Sequence, residues 1–431
     1  MYYFIGIKGT GMAALALMLH DLGYEVCGSD LENHFFTEDA LVEKGIKIFN
    51  FDENNIKEEY TVIIGNAFLE DFPEVARARK LCKCYRYHEF VGEFMKNYTT
   101  VSICGSHGKT TTTTLCKTML SKFKKTAYLI GDGEGFVEKD SEYLCVESDE
   151  FRRHFANYHP EYAIITNIEI DHVDYFKDEI DYFNSYQEFV DNVKEAVFYH
   201  GDDPWCQKLN IKTKAFSFGL SNKNNYYLDN LEYDTNKSAF DLMHDGEFIY
   251  HYNLPMVGDH LLIDVLGVIA LGDYLGFDHQ QIVDALNDYV GPKRRYVIEE
   301  YHDTIFVDDY AHHPTEVKVT IEASKKRYPD RKIIAIFKPH RASRVKYFAQ
   351  QFKDALSLAD EIYLIDFTSI DDKQDGTDID INYLAKMIDG SIVLEESKQG
   401  AKKLAEEKDA IYVFMSSKDI YNIANWTKEF L

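Results

Sequence analysis

The stretch TTVSICGSHGKTTTTTLCK, residues 99–117, decides the fold of this chain. An apolar run, TTVSIC, leads into a turn that contains Gly105 and Gly108, and TTTTLCKTMLSKF after the turn is predicted as a helix. A strand that passes through a glycine turn into a helix directs backbone N–H groups to one point, where the positive end of the helix dipole also lies. The stretch therefore predicts a phosphate-binding loop.

Two side chains of this loop indicate its chemistry. Lys109 can neutralise the terminal phosphates of a nucleotide, and the hydroxyl of Thr110 can ligate Mg²⁺. The spacing is two residues shorter than in the general motif G-x-x-x-x-G-K-[ST]. The motif by itself therefore leaves open an ordinary strand-to-helix turn with a solvated lysine.

Short apolar runs alternate with amphipathic stretches on both sides of this loop, which is typical of parallel sheets covered by helices. We predict an α/β protein with three domains in series, a number that a length of 431 residues allows. The predicted domains are residues 1–97, which begin with the strand YYFIGI, residues 98–296, which contain the loop, and residues 297–431.

Polar side chains follow two apolar runs of the central domain. Glu147 ends the run EYLCVE, and His172 comes shortly after YAIITNI. Ligands bind at the carboxyl ends of parallel strands, where a carboxylate can hold Mg²⁺ and a neutral histidine can ligate a second metal. The alternatives are a solvated member of the acidic run 147–150 and a loop histidine bonded to a neighbouring aspartate.

A second glycine turn follows the first strand of the chain. Gly6, Gly9 and Gly11 form the order G-x-x-G-x-G, and Asp30 ends the next predicted strand. Dinucleotide-binding folds place a ribose-binding acid at about this distance, but their glycine order differs. The turn indicates a ligand that contains a diphosphate, and a dinucleotide-binding redox protein stays an alternative.

Charged side chains also follow strands of the third domain. GPKRRY, residues 291–296, lies at the junction between domains, DDYAHHP ends one strand at residues 308–314, and KPHRASR ends another at residues 338–344. A junction arginine can reach a γ-phosphate, a strand-end aspartate can accept ribose hydroxyls, and Arg344 can clamp a carboxylate. A solvated surface charge is the alternative for each arginine, and a loop without a metal is the alternative for the histidine pair.

Composition excludes several classes of protein. A net charge of −26 opposes general binding to nucleic acid or to an anionic membrane. The N-terminus lacks the pattern of a signal peptide, and no apolar run has the length of a membrane span. With an odd number of cysteines, seven, we expect free thiols in the reducing cytosol.

These motifs resemble, in order and along essentially the whole chain, those of the Mur ligase family. The resemblance rests on GSHGKTTTTT, Glu147, TNIEIDH, GPKRRY, VDDYAHHPTE and KPHRASR, and the last two point to the branch that adds alanine. It implies an ATP-dependent ligase that joins L-alanine to the carboxylate of UDP-N-acetylmuramic acid through an acyl phosphate, in peptidoglycan synthesis. The expected partners are these small molecules, with Mg²⁺ as cofactor, no nucleic acid and no membrane, in a monomer or homodimer.

The resemblance also implies a role for each site residue. A Rossmann-like first domain would bind the UDP-sugar through Gly6, Gly9, Thr10, Gly11, Asp30 and Asn66. A central domain like a P-loop ATPase would bind ATP through Gly105, Ser106, His107, Gly108, Lys109, Thr110 and Thr111, and Mg²⁺ through Thr110, Glu147 and His172. A Rossmann-like third domain would close over ATP and the amino acid, with Arg295, Asp309 and Tyr310 on ATP and His312, His340, Arg341 and Arg344 around L-alanine. The predicted catalytic residues are Lys109, His172 and Arg344.

Two departures from the family pattern keep other hypotheses open. Leu261 and Asp264 stand where the family has asparagines, and Lys418 stands where it has glycine. A sensor that binds nucleotide or UDP-sugar without catalysis is therefore an alternative. Within the same class, a Mur ligase of cell-wall recycling that joins a preformed peptide is another.

Overall fold

The computed structural model describes residues 1–234, 237–292, 294–367 and 376–431. Within these residues the strands are β1 (Tyr2–Ile5), β2 (Val26–Ser29), β3 (Lys47–Phe49), β4 (Thr61–Ile64), β5 (Lys83–Arg86), β6 (Thr99–Cys104), β7 (Thr126–Leu129), β8 (Gly135–Phe136), β9 (Tyr143–Glu147), β10 (Tyr162–Ile165), β11 (Ala196–His200), β12 (Lys214–Gly219), β13 (Tyr226–Tyr233), β14 (Ser238–His244), β15 (Glu247–Leu254), β16 (Val297–Tyr301), β17 (Thr304–Asp309), β18 (Lys332–Phe337), β19 (Glu361–Ile365), β20 (Ile392–Leu394) and β21 (Ala410–Met415).

The helices of the same residues are α1 (Thr10–Asp21), α2 (Glu38–Glu43), α3 (Pro73–Leu81), α4 (Tyr87–Met95), α5 (Lys109–Phe123), α6 (Glu179–Val190), α7 (Asp259–Tyr274), α8 (His279–Asn287), α9 (Pro314–Arg327), α10 (Ala342–Tyr347), α11 (Ala349–Leu356), α12 (Asn382–Ala385), α13 (Lys398–Leu404) and α14 (Tyr421–Phe430). Short 3₁₀ turns occupy Glu53–Asn55, Phe151–Asn157 and Cys206–Lys208.

The chain divides into two compact units. The first contains Met1–Glu169 and Phe183–Val290, and the second contains Ile170–Tyr182 and Gly291–Leu431. The first unit holds two sheets, and the second holds one. The segment Ile170–Tyr182 thus groups with the C-terminal part of the chain, although in sequence it lies in the predicted central domain.

The first sheet carries the N-terminal glycine turn. Its strand order is β3-β2-β1-β4-β5, and all of its strand pairs are parallel. The order reverses direction on either side of β1, so loops after β1 and β4 border a crevice at the carboxyl edge. The glycine turn follows β1, and Asn66 follows β4.

The second sheet carries the phosphate-loop candidate. Its order is β15-β14-β13-β12-β11-β10-β6-β9-β7-β8, with β6 between β10 and β9 and parallel to both. Helix α5 packs its apolar side, which includes Leu115, Met119 and Leu120, into a core shared with α7. Burial of this apolar surface fixes the start of α5 at the end of β6.

The sheet of the second unit has the order β16-β17-β21-β18-β19-β20. Strands β17 and β18 both pair in parallel with β21, so the ends of these three strands share one edge. Among the described residues of this sheet, β16 alone pairs in antiparallel fashion, with β17. Among the described residues, no helix has the length and apolar composition needed to cross a membrane.

The predicted α/β class is confirmed, and so are the predicted strands around the motifs. The runs that precede the two glycine turns form β1 and β6, and those ending at Glu147 and Asp309 form β9 and β17. The domain boundaries at residues 97 and 296 stay predictions.

Candidate functional site

The loop between β6 and α5 requires glycine at two positions. Gly105 has a φ of +143° and Gly108 a φ of +80°, a region that L side chains rarely adopt. A Cβ atom at Gly105 would lie 1.9 Å from Oγ1 of Thr166, and one at Gly108 would lie 2.7 Å from Oδ1 of Asp264. The glycines therefore allow both the turn and its close approach to neighbouring elements.

The segment after β10 braces this loop. The amide of Ser106 donates to the carbonyl oxygen of Asn167 (3.2 Å), and the amide of His107 donates to the side-chain oxygen of the same residue (2.9 Å). The hydroxyl of Ser106 donates to the carbonyl oxygen of Glu169 (2.6 Å). The amides of Ser106 and His107 are therefore occupied within the protein. The amides of the first turn of α5, which have no acceptor within the helix, are the ones that could bind phosphate.

The ammonium group of Lys109 is held inside the loop. It donates to the carbonyl oxygens of Gly105 (2.5 Å) and Ser106 (3.1 Å) and to the carboxylate of Glu150 (2.9 Å), whose side chain is 1% exposed. Burial lowers the pKa of Lys109, but Glu150 and nearby carboxylates outweigh burial and raise that pKa above its ordinary value. Lys109 is thus a fixed cation at the start of α5.

Two of the three predicted metal ligands lie side by side. The hydroxyl of Thr110 donates to Oε1 of Glu147 (3.1 Å), and Oε2 of Glu147 accepts from the amide of Gly131 (2.8 Å). A hydroxyl and a carboxylate are oxygen ligands of the kind that Mg²⁺ prefers, so this pair fits the ion. The third predicted ligand, His172, belongs to the second compact unit, and its role stays a prediction.

The N-terminal turn is built as a close-packed diphosphate-binding candidate. Gly6 has a φ of +83°, and a Cβ atom at Gly11 would lie 2.6 Å from the hydroxyl oxygen of Tyr87. Asp30, predicted to contact the UDP-sugar, accepts from the amides of Lys8 (2.7 Å) and Leu31 (2.8 Å). Asp30 therefore orders this turn as well as the loop after β2, and Gly9 and Thr10 lie at the start of α1.

A cavity of about 240 Å³ joins the two glycine turns within the first unit. It brings together four predicted site residues, Gly11 and Asn66 from the first sheet with Lys109 and Glu147 from the second. Its remaining lining residues are Tyr87, His88, Leu129, Ile130, Gly131, Asp149, His154 and Tyr158. The cavity thus connects the predicted sugar site to the predicted phosphate site.

Sequence reasoning missed the aromatic and imidazole side chains of this cavity. Tyr87 and His88 lie at the start of α4, and His154 follows the acidic run after β9. None of them stands in a motif with a spacing that indicates chemistry. The nearest signal was the position of each stretch, directly after a parallel strand.

The second unit brings the predicted adenosine-binding residues together. Oδ1 of Asp309 accepts from the amide of Ala311 (2.8 Å), and the guanidinium of Arg295 lies 4.9 Å from the ring centre of Tyr310. Burial raises the pKa of the Asp309 carboxyl to about 6, and Arg295 opposes this shift. Asp309 and Tyr310 follow β17, at the edge shared with β18 and β21.

The residues predicted to surround the amino acid lie after strands of the same sheet. Nδ1 of His312 donates to the carbonyl oxygen of Tyr310 (3.0 Å), and Nδ1 of His340 lies 3.1 Å from the hydroxyl oxygen of Ser417, which follows β21. Arg341 pairs with Asp174.

Arg344 has a partner that the sequence did not reveal. Its Nε and Nη2 donate to Oδ1 of Asp171 (2.9 and 2.8 Å), and both side chains are nearly buried. Burial raises the pKa of Asp171, but Arg344 and nearby histidines outweigh burial and lower that pKa well below its ordinary range. Nη1 of Arg344 is buried without a hydrogen-bond partner among the described residues, so one donor faces the interior unused.

The departures from the family pattern have defined places. Leu261 packs against the central core, and Asp264, 8% exposed, lies against Gly108 of the phosphate loop. The carbonyl oxygen of Lys418 accepts from Arg294 (3.0 Å), so the lysine takes part in the turn after β21. Lys293 of the GPKRRY motif lies outside the described residues.

Family models match along nearly the whole chain. The model for the catalytic domain of the Mur ligase family matches residues 1–99, that for the Mur ligase middle domain matches residues 103–272, and that for the Mur ligase glutamate ligase domain matches residues 293–418. The chain is a Mur ligase. The family and the three-domain architecture predicted from the motifs are thereby confirmed.

Relatives of this Mur ligase with high identity are ligases that add alanine. The UDP-N-acetylmuramate–L-alanine ligase of Lacticaseibacillus casei (strain BL23) is 42% identical over 420 residues, which cover 97% of this chain and 96% of the relative, and that of Lacticaseibacillus paracasei gives the same values. The crystal structure of UDP-N-acetylmuramate–alanine ligase from Thermotoga maritima has a TM-score of 0.79 at 25% identity, covering 100% of this chain and 98% of the other. A murein peptide ligase from Psychrobacter arcticus shares the fold, with a TM-score of 0.74 at 21% identity over 100% of this chain and 98% of the other.

Proposed function

We propose that this Mur ligase joins L-alanine to the carboxylate of UDP-N-acetylmuramic acid at the expense of ATP, in peptidoglycan synthesis. The identity of 42% over 97% of the chain to two ligases of that name carries the proposal. The cavity that links the two glycine turns supports it, because a ligase of this kind must hold a sugar carboxylate beside a terminal phosphate.

The arrangement of the first unit suits the activation of a carboxylate. The amides that begin α5 would hold the phosphates of ATP, and Lys109 would spread the charge that develops as the terminal phosphoryl group moves to the carboxylate. Displacement of ADP would leave an acyl phosphate, a far better acyl donor than the acid. The amine of alanine would then attack its carbonyl carbon and release inorganic phosphate.

Thr110 and Glu147 would hold Mg²⁺, and His172 is proposed as a further ligand. The ion would supply positive charge to the phosphate oxygens. Two carboxylates have separate roles at this loop. Glu150 binds the ammonium group of Lys109 at the start of α5, and Glu147 accepts from the hydroxyl of Thr110, where the metal ion is proposed to bind.

The strand-end residues of the second unit would hold the other ligands. Asp309 would accept the ribose hydroxyls of ATP, and Tyr310 with Arg295 would contact the nucleotide. The unused Nη1 of Arg344 offers a donor to the carboxylate of alanine, while Asp171 fixes the rest of the guanidinium. We also propose a cytoplasmic location, since all seven cysteines are free thiols, as expected in a reducing compartment.

Phosphate release tests the proposal directly. The assay combines ATP, Mg²⁺, UDP-N-acetylmuramic acid and one amine acceptor, and we expect release with L-alanine that disappears when any component is omitted. A Lys109→Ala chain should lose about a hundredfold or more in rate, because it lacks the cation that faces the phosphoryl group. Lys122→Ala, at an exposed position of the same helix, should keep the rate of the unsubstituted chain.

Three outcomes would contradict the proposal. Full turnover by Lys109→Ala would remove the phosphate loop from the reaction. A preference for a preformed tripeptide over alanine as acceptor would instead place the chain among recycling ligases. Binding of UDP-N-acetylmuramic acid without any product would favour a sensor.

A further inference from the structure

Two imidazole rings form one wall of the cavity in the first unit. The rings of His88 and His154 stack with their centres 4.3 Å apart and an angle of 14° between their planes. His88 comes from α4 and His154 from the turn after β9, so the two sheets of the unit each contribute one ring. Lys109 and Glu147 line the same cavity.

Asn66 sets the hydrogen-bonding roles of both rings. Its side-chain oxygen, which can only accept, lies 3.1 Å from Nδ1 of His88, so His88 carries hydrogen on Nδ1 and keeps a lone pair on Nε2. Its amide nitrogen, which can only donate, lies 3.5 Å from Nδ1 of His154, so a neutral His154 carries hydrogen on Nε2. Oδ2 of Asp149 lies 3.8 Å from the same Nδ1, beyond hydrogen-bonding distance.

The two rings therefore offer one acceptor, Nε2 of His88, and one donor, Nε2 of His154. This part of the cavity suits an uncharged ligand group. Burial, followed by the neighbouring His154, lowers the pKa of His88 to about 4, so this ring is neutral at physiological pH. A neutral imidazole attracts a phosphate or carboxylate far less than Lys109 does. An amide group, with one N–H and one carbonyl oxygen, matches an acceptor next to a donor.

The backbone before His154 is strained in a way that places this ring. Arg152 and Arg153 have φ values of 50° and 59°, two consecutive left-handed residues that are not glycine. Such conformations each cost on the order of 1 kcal/mol and persist where the surrounding structure holds them, often at functional sites. The chain continues from this turn directly into His154, whose exposed fraction is 8%.

We propose that His88 and His154 recognise the acetamido group on the sugar of the UDP-sugar substrate, with Asn66 as the residue that positions both rings. This rests on the proposed function, which supplies an N-acetylated sugar between the diphosphate turn near Gly11 and the reacting carboxylate near Lys109. Nε2 of His88 accepts from the acetamido N–H, and Nε2 of His154 donates to its carbonyl oxygen. The sugar is thereby turned so that its carboxylate faces the phosphate loop.

The test compares ligands with and without the group in question. Calorimetry measures binding of UDP-N-acetylmuramic acid, of the same molecule with a free amine in place of the acetamide, and of UDP alone. We expect His88→Phe, which keeps an aromatic ring but removes the acceptor, to bind UDP-N-acetylmuramic acid about tenfold or more weakly. Its binding of UDP and its KM for ATP should not change, and its preference for the acetylated ligand should be lost.

Two further variants separate recognition from folding. His88→Gln places an amide oxygen or nitrogen near the position of Nε2 and should recover part of the preference for the acetylated sugar. His159→Phe, the same substitution at an exposed position that does not line the cavity, should behave as the unsubstituted chain.

The outcomes distinguish this assignment from the function on which it rests. If the unsubstituted chain neither binds nor turns over UDP-N-acetylmuramic acid, the proposed function is wrong, and the assignment of the acetamido site is wrong with it. Normal turnover together with an unchanged preference for the acetylated ligand in His88→Phe would overturn the assignment alone. Equal losses for UDP and for the UDP-sugar would also overturn it, because they indicate a structural role.

Discussion

Asp309 shows how one buried carboxyl can combine a structural and a binding role. Its two oxygens accept from the amides of Ala311 (2.8 Å) and Tyr296 (3.1 Å), and its side chain is 8% exposed. Burial is the largest cause of its raised pKa of about 6, Arg295 opposes it and Glu316 adds to it. The folded chain therefore binds a proton at Asp309 more tightly than the unfolded chain does.

This raised pKa predicts a pH dependence of stability. The contribution of Asp309 to the free energy of unfolding is present below about pH 4, the pKa of an unfolded aspartate, and is lost as the pH rises through about 6. Asp309→Asn removes the titrating group. The unfolding free energy of the variant relative to the unsubstituted chain should therefore rise by about 1 kcal/mol between pH 5 and pH 7 in urea titrations. Asp303→Asn, at an exposed position, should show no such change, and equal slopes for all three chains would contradict the prediction.

At the scale of elements, the connection from β6 through the glycine turn to α5 is the part that local sequence determines best. The sequence of residues 99–123 predicts a strand, two glycines and a helix, and the structure has β6 and α5 at those places. Gly108 has a φ of +80°, which favours glycine, and the tight turn between strand and helix is enough to predict this preference. The close approach of Asp264 depends on tertiary packing of α7 and had no local signal.

Gly108→Ala should separate the shape of this turn from simple backbone strain. The substitution adds left-handed strain of about 1 kcal/mol or more and places Cβ 2.7 Å from Oδ1 of Asp264, so either the start of α5 or the buried side chain of Asp264 must move. We expect phosphate release to fall about tenfold or more, because small displacements at a reacting group are costly. Gly246→Ala is the matched control, since Gly246 has a φ of +85° with nothing within 4 Å. It should lose stability of about 1 kcal/mol but keep its rate. Equal rates for the two variants would show that the geometry of the loop is not critical.

The histidine wall shows where sequence reasoning stops. His88 and His154 are 66 positions apart and belong to no motif, and they meet because α4 and the turn after β9 pack together. The left-handed conformation of Arg152 and Arg153 could not be predicted from the sequence, because neither residue is glycine. By contrast, the proximity of Lys109, Thr110 and Glu147 could be predicted, because the parallel strands β6 and β9 end at one edge of their sheet and motif spacing marks the residues there.

For the whole molecule, the division into two compact units makes unfolding a test of where ligands bind. Each unit has its own hydrophobic core, and each contains one of the two tryptophans of the chain. Trp205 lies in the first unit against Phe183, and Trp426 packs on the core of the second. The fluorescence of a variant with a single tryptophan therefore reports the unfolding of one unit. Separate signals are needed because one free energy of unfolding does not describe a chain whose two units can unfold independently.

UDP-N-acetylmuramic acid should stabilise the first unit selectively, because its predicted contacts, from Gly6 to Asn66, all lie there. The Trp426→Phe chain follows the first unit through the fluorescence of Trp205, and Trp205→Phe follows the second. At a ligand concentration of about 100 times Kd, the free energy of unfolding of the first unit should rise by about 2.7 kcal/mol. The second should not change, and sodium chloride of equal ionic strength serves as the control. A shift of equal size in both variants would show that the two units unfold as one or that the second unit also holds the UDP-sugar.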